Sequence, residues 1–74
     1  MTKLPVVSGR EAAKRFERLG YQQVRQRGSH MRLLHPTDPI HKPLTIPDHK
    51  ELGRGLLRKL LRDSGITAEE FRNL

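Results

Sequence analysis

Residues 21–35 read Tyr-Gln-Gln-Val-Arg-Gln-Arg-Gly-Ser-His-Met-Arg-Leu-Leu-His, and the fold turns on them. Tyr21 to Arg27 is polar, carries no helix-start signal and ends at Gly28, so it reads as a half-exposed strand. Met31 to His35 reads as the next strand, closed by Pro36. Beyond it, Pro36-Thr37-Asp38-Pro39 is turn chemistry, and Ile40 to Ile46 holds a third short strand around Leu44-Thr45-Ile46. Pro43 and Pro47 bracket that strand, which suits a sheet edge.

Working outward, Ser8-Gly9-Arg10-Glu11 has the S-x-x-E form of a capping box. Ala12, Phe16 and Leu19 follow at i, i+4 and i+7, one helical face, and Gly20 is a good stop. Val7 stands where an apolar residue packs against the first turn. On the other side, Asp48 or His49 precedes a second helix predicted to run to about Ser64. Leu52, Leu56, Leu57, Leu60 and Leu61 give it a broad apolar stripe, with Arg54, Arg58 and Arg62 forming a basic ridge on another face. Gly65-Ile66 reads as a Schellman stop. Thr67-Ala68-Glu69-Glu70 is a second capping box, starting a short helix whose Phe71 and Leu74 pack back. The order is helix, three antiparallel strands, helix: an α+β fold with two helices on one face of a three-stranded sheet and the other face open.

The 74 residues suit one small domain, 1–74, with modest stability. There is no cysteine, hence no disulfide, thiolate metal site or cysteine nucleophile. No apolar run is long enough for a membrane span, and Met1-Thr2-Lys3-Leu4 does not lead into the apolar core of a secretory signal. A soluble, cytoplasmic protein is expected.

The net charge is +7, from 15 basic and 8 acidic residues, and ten of the basic ones are arginine. Such an excess is self-repulsive unless an anionic partner neutralises it. It is also segregated. No acid lies between Arg18 and Pro36, where Arg25, Arg27 and Arg32 accompany His30 and His35. Between Lys50 and Arg62, five basic residues (Lys50, Arg54, Arg58, Lys59, Arg62) face only Glu51. Two arginine-rich tracts favour nucleic acid as the partner, since guanidinium matches phosphate in a two-pronged way.

Gly28-Ser29-His30 sits between the first two strands, inside the first tract. Glycine permits a tight turn and close approach of a ligand. Histidine titrates nearest neutrality and suits proton transfer. RNA carries its own nucleophile, the 2′-hydroxyl, so a ribonuclease needs a base or acid near that oxygen and cations around the charged phosphorane. His30 among Arg25, Arg27 and Arg32 meets that need without a metal. His30, His35, His41 and His49 show no metal-ligand spacing, so no metal and no cofactor are expected. His49 is the first candidate for a second acid or base.

Taken together, Lys3-Leu4-Pro5, Ser8-Gly9, Leu19-Gly20-Tyr21, Arg25-Gln26-Arg27-Gly28-Ser29-His30, Pro36, Ile46-Pro47, His49, Glu51-Leu52, Gly55, Ser64-Gly65-Ile66-Thr67 and Glu69-Glu70-Phe71 resemble the HicA (YcfA-like) family of mRNA interferase toxins. The resemblance spans essentially the whole chain. It implies a double-stranded-RNA-binding-domain-like α-β-β-β-α fold, cleavage of mRNA with His30 as the catalytic residue, and a HicB antitoxin that binds the toxin and masks its site. Leu56 departs from the family's usual Thr, and the Pro36 to Pro43 connection is longer than usual.

The reading is a toxin ribonuclease. His30 is its general acid or base, and Arg25, Arg27, Gly28, Ser29, Arg32, Lys50, Arg54, Arg58 and Lys59 hold the RNA. The competing readings are a non-catalytic RNA-binding module and, more weakly, a helix-turn-helix DNA binder, against which the three strands count.

Overall fold

A computed structural model describes residues 3–74 as α1 (Gly9–Leu19), β1 (Gln22–Arg27), β2 (His30–Leu34), β3 (Leu44–Pro47), α2 (Arg54–Ser64) and α3 (Ala68–Arg72). The α-β-β-β-α order read from the sequence is the order found.

The start of α1 is half of the expected capping box. Ser8 Oγ accepts the Glu11 N–H at 3.0 Å, but the Glu11 carboxylate turns away to take Arg15 Nε at 3.1 Å. Gly9 is there for space. Its N–H donates to the His49 carbonyl at 2.8 Å, and a Cβ on it would lie 1.9 Å from the Pro47 carbonyl oxygen. Only glycine lets α1 press its first turn onto the end of β3.

The strands pair antiparallel in the order β1-β2-β3. Met31 faces Ile46 and Leu33 faces Leu44 across the β2–β3 ladder, and all four are buried. They join Ala12, Ala13 and Phe16 from α1 and Leu57, Leu60 and Leu61 from α2 in one core, so both main helices cover one face of the sheet. Phe71 of α3 closes the end, its ring 5.1 Å from Phe16. The second capping box is complete: Thr67 Oγ1 accepts the Glu70 N–H and Glu70 Oε1 accepts the Thr67 N–H, both at 3.0 Å. The Gly65 stop also forms, with the Ile66 N–H donating to the Leu61 carbonyl at 3.2 Å.

The second helix starts later than expected, at Arg54 with Gly53 as its cap. The residues before it are committed elsewhere. The Asp48 N–H donates to the Ser29 carbonyl, the His49 carbonyl takes Gly9, and the Leu52 N–H donates to the Val7 carbonyl at 2.8 Å. Asp48 offers its carboxylate to Arg10, 3.0 Å from Nη2, not to a helix end. Leu52 is buried all the same, delivered to the core by the extended segment.

Two histidines hold the long β2–β3 connection. His35 Nδ1 accepts the Asp38 N–H at 3.2 Å, which leaves the ring proton on Nε2 to donate to the Leu19 carbonyl at 3.3 Å. His41 Nδ1 donates to the Ser64 carbonyl, and the two rings lie 4.5 Å apart. Tyr21 packs edge-on against His35 and against Phe16, and its hydroxyl donates to the Lys42 carbonyl at 2.7 Å.

β1 contains a departure from simple alternation. Its residues next to the turn pair as Arg27–His30, Gln26–Met31 and Arg25–Arg32, whereas its far half pairs as Gln23–Leu33 and Gln22–Leu34. Val24 is the extra residue, a β-bulge, and its side chain is half exposed. Strict alternation would send Tyr21, Gln23, Arg25 and Arg27 to one face. The bulge breaks the phase. Tyr21 is buried with the helices, while Arg25 and Arg27 lie with Arg32 and His30 on the open face.

Deleting Val24 should therefore destabilise the fold by about 3 kcal/mol or more, because either Tyr21 leaves the core or the arginines enter it. Val24→Ala, which keeps the extra backbone residue, should stay within about 0.5–1 kcal/mol in urea unfolding. Equal small effects would remove the bulge from the explanation.

Tyr21 offers a pH test. Burial, reinforced by the charge of Asp63, pushes its phenol from 10.0 up to about 12. The unfolded chain gives up this proton first, so the group's contribution to stability is complete below pH 10.0 and is lost as pH rises toward about 12. Tyr21 is the chain's one tyrosine and there is no tryptophan, so phenolate absorbance should report it alone. Stability should fall by on the order of 2 kcal/mol across that window, and Tyr21→Phe should lack the fall.

Candidate nucleic-acid interface

The turn that joins β1 and β2 is two residues long, Gly28-Ser29. Gly28 takes φ 58°, which suits glycine at the first central position of a tight hairpin. Apart from its chain neighbours, no atom of the described residues lies within 4 Å of where its Cβ would stand. Backbone conformation, not crowding, selects glycine here, and the surroundings are open to a ligand. Ser29 contributes its carbonyl, which accepts the Asp48 N–H and ties the turn to the end of β3.

This turn sets the register of the open face. Two rows of residues cross the sheet there: Arg25, Arg32 and Thr45 in one, Arg27, His30 and Pro47 in the next. Successive rows on one face stand about 7 Å apart. Arg25, Arg27, His30, Arg32 and Thr45 line a shallow hollow of about 170 Å³.

The electrostatics of this hollow are one-sided. Arg25 lies directly opposite Arg32, an arrangement that destabilises a sheet. No carboxylate lines the hollow, and Arg32 has a neutral partner, Nη1 donating to Thr45 Oγ1 at 3.0 Å. Three cations elsewhere are matched with acids: Arg10 with Asp48, Arg15 with Glu11 and Lys59 with Asp63. His30 is exposed at the start of β2 and its ring makes no hydrogen bond among the described residues. Both ring nitrogens are thus open to a ligand.

The second basic tract lies apart. Arg54 and Arg58 line a hollow of about 360 Å³ with Lys3, Leu4, Leu61, Ile66 and Ala68, in the helical layer. Arg54 also borders a neighbouring hollow of about 410 Å³ with Leu4, Pro5, Leu52 and Leu57. Both are larger than the one at His30, but they are rimmed by leucines and hold no histidine. Lys59 is engaged by Asp63 at 3.1 Å, and Lys50 is exposed between β3 and α2. The structure thus brings together Arg25, Arg27, Arg32 and His30, flanked by Gly28 and Ser29. It leaves Lys50, Arg54, Arg58 and Lys59 outside that group.

Of the other histidines, His35 and His41 serve the connection described above. His49 gives its carbonyl to α1 and does not line the His30 hollow. No cluster of three metal-ligating side chains occurs among the described residues. No described helix is long and apolar enough to cross a membrane. Thr45 was missed by the sequence reading. Its place opposite Arg32 depends on a β2–β3 register that the long connection hides.

A comparison with protein families matches residues 9–66 to a family described as the HicA toxin of bacterial toxin–antitoxin systems. No curated protein matches the chain.

Proposed function

The chain belongs to the HicA family of toxins from bacterial toxin–antitoxin systems, and on that footing we propose that it is an endoribonuclease that cleaves mRNA in the cytoplasm. One observation supports this reading above the others: a solvent-open histidine shares a hollow with three arginines and no carboxylate. A phosphodiester supplies the missing negative charge.

In the proposed reaction, Arg25, Arg27 and Arg32 hold the phosphate next to His30. His30 accepts the proton of the adjacent 2′-hydroxyl. The 2′-oxygen bonds to phosphorus, the bond from phosphorus to the 5′-oxygen breaks, and that oxygen takes up a proton from His30 or from water. The products are a 2′,3′-cyclic phosphate and a 5′-hydroxyl end. The guanidinium groups stabilise the charged phosphorane, so no metal is required. With one proton-transfer group, worth roughly 10²–10⁴-fold, the enzyme is slow. Lys50, Arg54, Arg58 and Lys59 act only on longer RNA, as further backbone contacts. The same basic face suits an acidic antitoxin of the HicB type, which would mask His30 when bound.

His30 lies on the open face, outside the core, so His30→Ala should leave the fold and antitoxin binding intact. It should lower RNA cleavage by roughly 10²–10⁴-fold and relieve growth arrest. Cleavage by the unaltered protein should be indifferent to EDTA. A His30→Ala protein that cuts at the full rate would sink the mechanism. Salt-sensitive RNA binding without any shortening of the RNA would favour a binding module in its place.

A further inference from the structure

Among the described residues, Thr45 is the one group lining the His30 hollow that is neither basic nor part of the Gly28-Ser29-His30 turn. It sits on β3 directly across from Arg32, which in turn sits directly across from Arg25. Arg32 is half-buried in the middle of the row, with a like charge on one side and a hydroxyl on the other. Its Nη1 donates to Thr45 Oγ1 at 3.0 Å.

Repulsion from Arg25 drives the Arg32 guanidinium toward β3, and Thr45 gives it an acceptor there. Threonine suits this task because branching at Cβ stiffens χ1 and so fixes Oγ1 in place. A hydroxyl also leaves the arginine's full charge available, where a carboxylate would cancel it. One of the five guanidinium N–H groups is used on Thr45, and four remain for a ligand.

We propose that Thr45 is a positioning residue, which holds Arg32 over the hollow so that its remaining N–H groups meet the RNA phosphate beside His30. This role rests on the reading of the hollow as a phosphodiester site. It adds a residue that acts through Arg32 and touches no reacting atom. Thr45 thereby lowers the cost of ordering a long side chain when RNA binds.

Binding is measured with an unstructured oligoribonucleotide on the His30→Ala protein, where cleavage does not interfere. Thr45→Val keeps the shape and strand preference but removes the acceptor. It should weaken binding roughly five- to tenfold. Thr45→Ser should stay within about twofold of the parent, since Oγ is retained. In an Arg32→Ala background, Thr45→Val should have no further effect, because the pair forms one unit in a double-mutant cycle. In the His30-containing enzyme, Thr45→Val should raise KM more than it lowers kcat and leave the pH profile of kcat in place.

Unchanged binding by Thr45→Val, or independent effects of Thr45→Val and Arg32→Ala, would overturn the positioning role while leaving the ribonuclease reading intact. Absence of any binding to the His30→Ala parent would overturn the phosphodiester site itself, and the role of Thr45 with it. Thr45→Ser is the folding control: loss of binding there, with an unchanged circular dichroism spectrum, also contradicts the proposal.

Discussion

The first strand has to serve two faces of the sheet at once, and one extra residue makes that possible. Tyr21 must be buried, since its ring packs on Phe16 and His35 and its hydroxyl secures Lys42. Arg25 and Arg27 cannot be buried, since no acid waits for them in the core. All three stand at odd positions, so a regular strand would send them the same way. The bulge at Val24 resets the phase between them. From that reset follow the aromatic closure of one end of the core and the basic open face. The Gly28-Ser29 turn then places His30 beside Arg27 and within the same hollow as Arg25 and Arg32.

The open face carries an electrostatic cost that the folded chain does not relieve. Opposed arginines, one of them bonded to a threonine hydroxyl, leave cationic charge concentrated on the middle of the sheet. A phosphate backbone, or an acidic protein surface, is the complement that such a face lacks. The net charge of +7 is accordingly divided. One part is organised around a titratable ring, and another lies along α2 among leucines. These two tracts look alike in the sequence, but among the described residues the first alone sets a histidine in the same hollow as its arginines.

Much of the architecture was legible because local chemistry agrees with the fold. Ser8 and Thr67 cap helices, Gly20 and Gly65 end them, and Pro36 closes a strand. The boundary that went astray, the start of α2, did so because long-range bonds outbid local ones. Asp48 and His49 looked like the start of a helix, but they hold Ser29, Arg10 and Gly9. Glu11 looked like half of a capping box, but a second local partner wins it, Arg15 one turn further along the same helix. In the site, Gly28, His30 and the three arginines of the strand tract were legible from their proximity in sequence. Thr45 was not, because its relation to Arg32 passes through a connection from Pro36 to Pro43 whose course depends on His35 and His41. A signal for the bulge did exist: a buried-type tyrosine and two exposed-type arginines at positions of one parity conflict with a single strand phase.

The chemistry attributed to this face rests on the RNA's own 2′-hydroxyl as the nucleophile. An oligoribonucleotide with a single 2′-deoxy substitution at the cleaved nucleotide isolates that claim, because the phosphates that the arginines hold are unchanged. Cleavage at that position should cease while binding stays within about twofold of the all-ribose strand. Cutting of the substituted strand at an undiminished rate would contradict the mechanism, whatever its affinity.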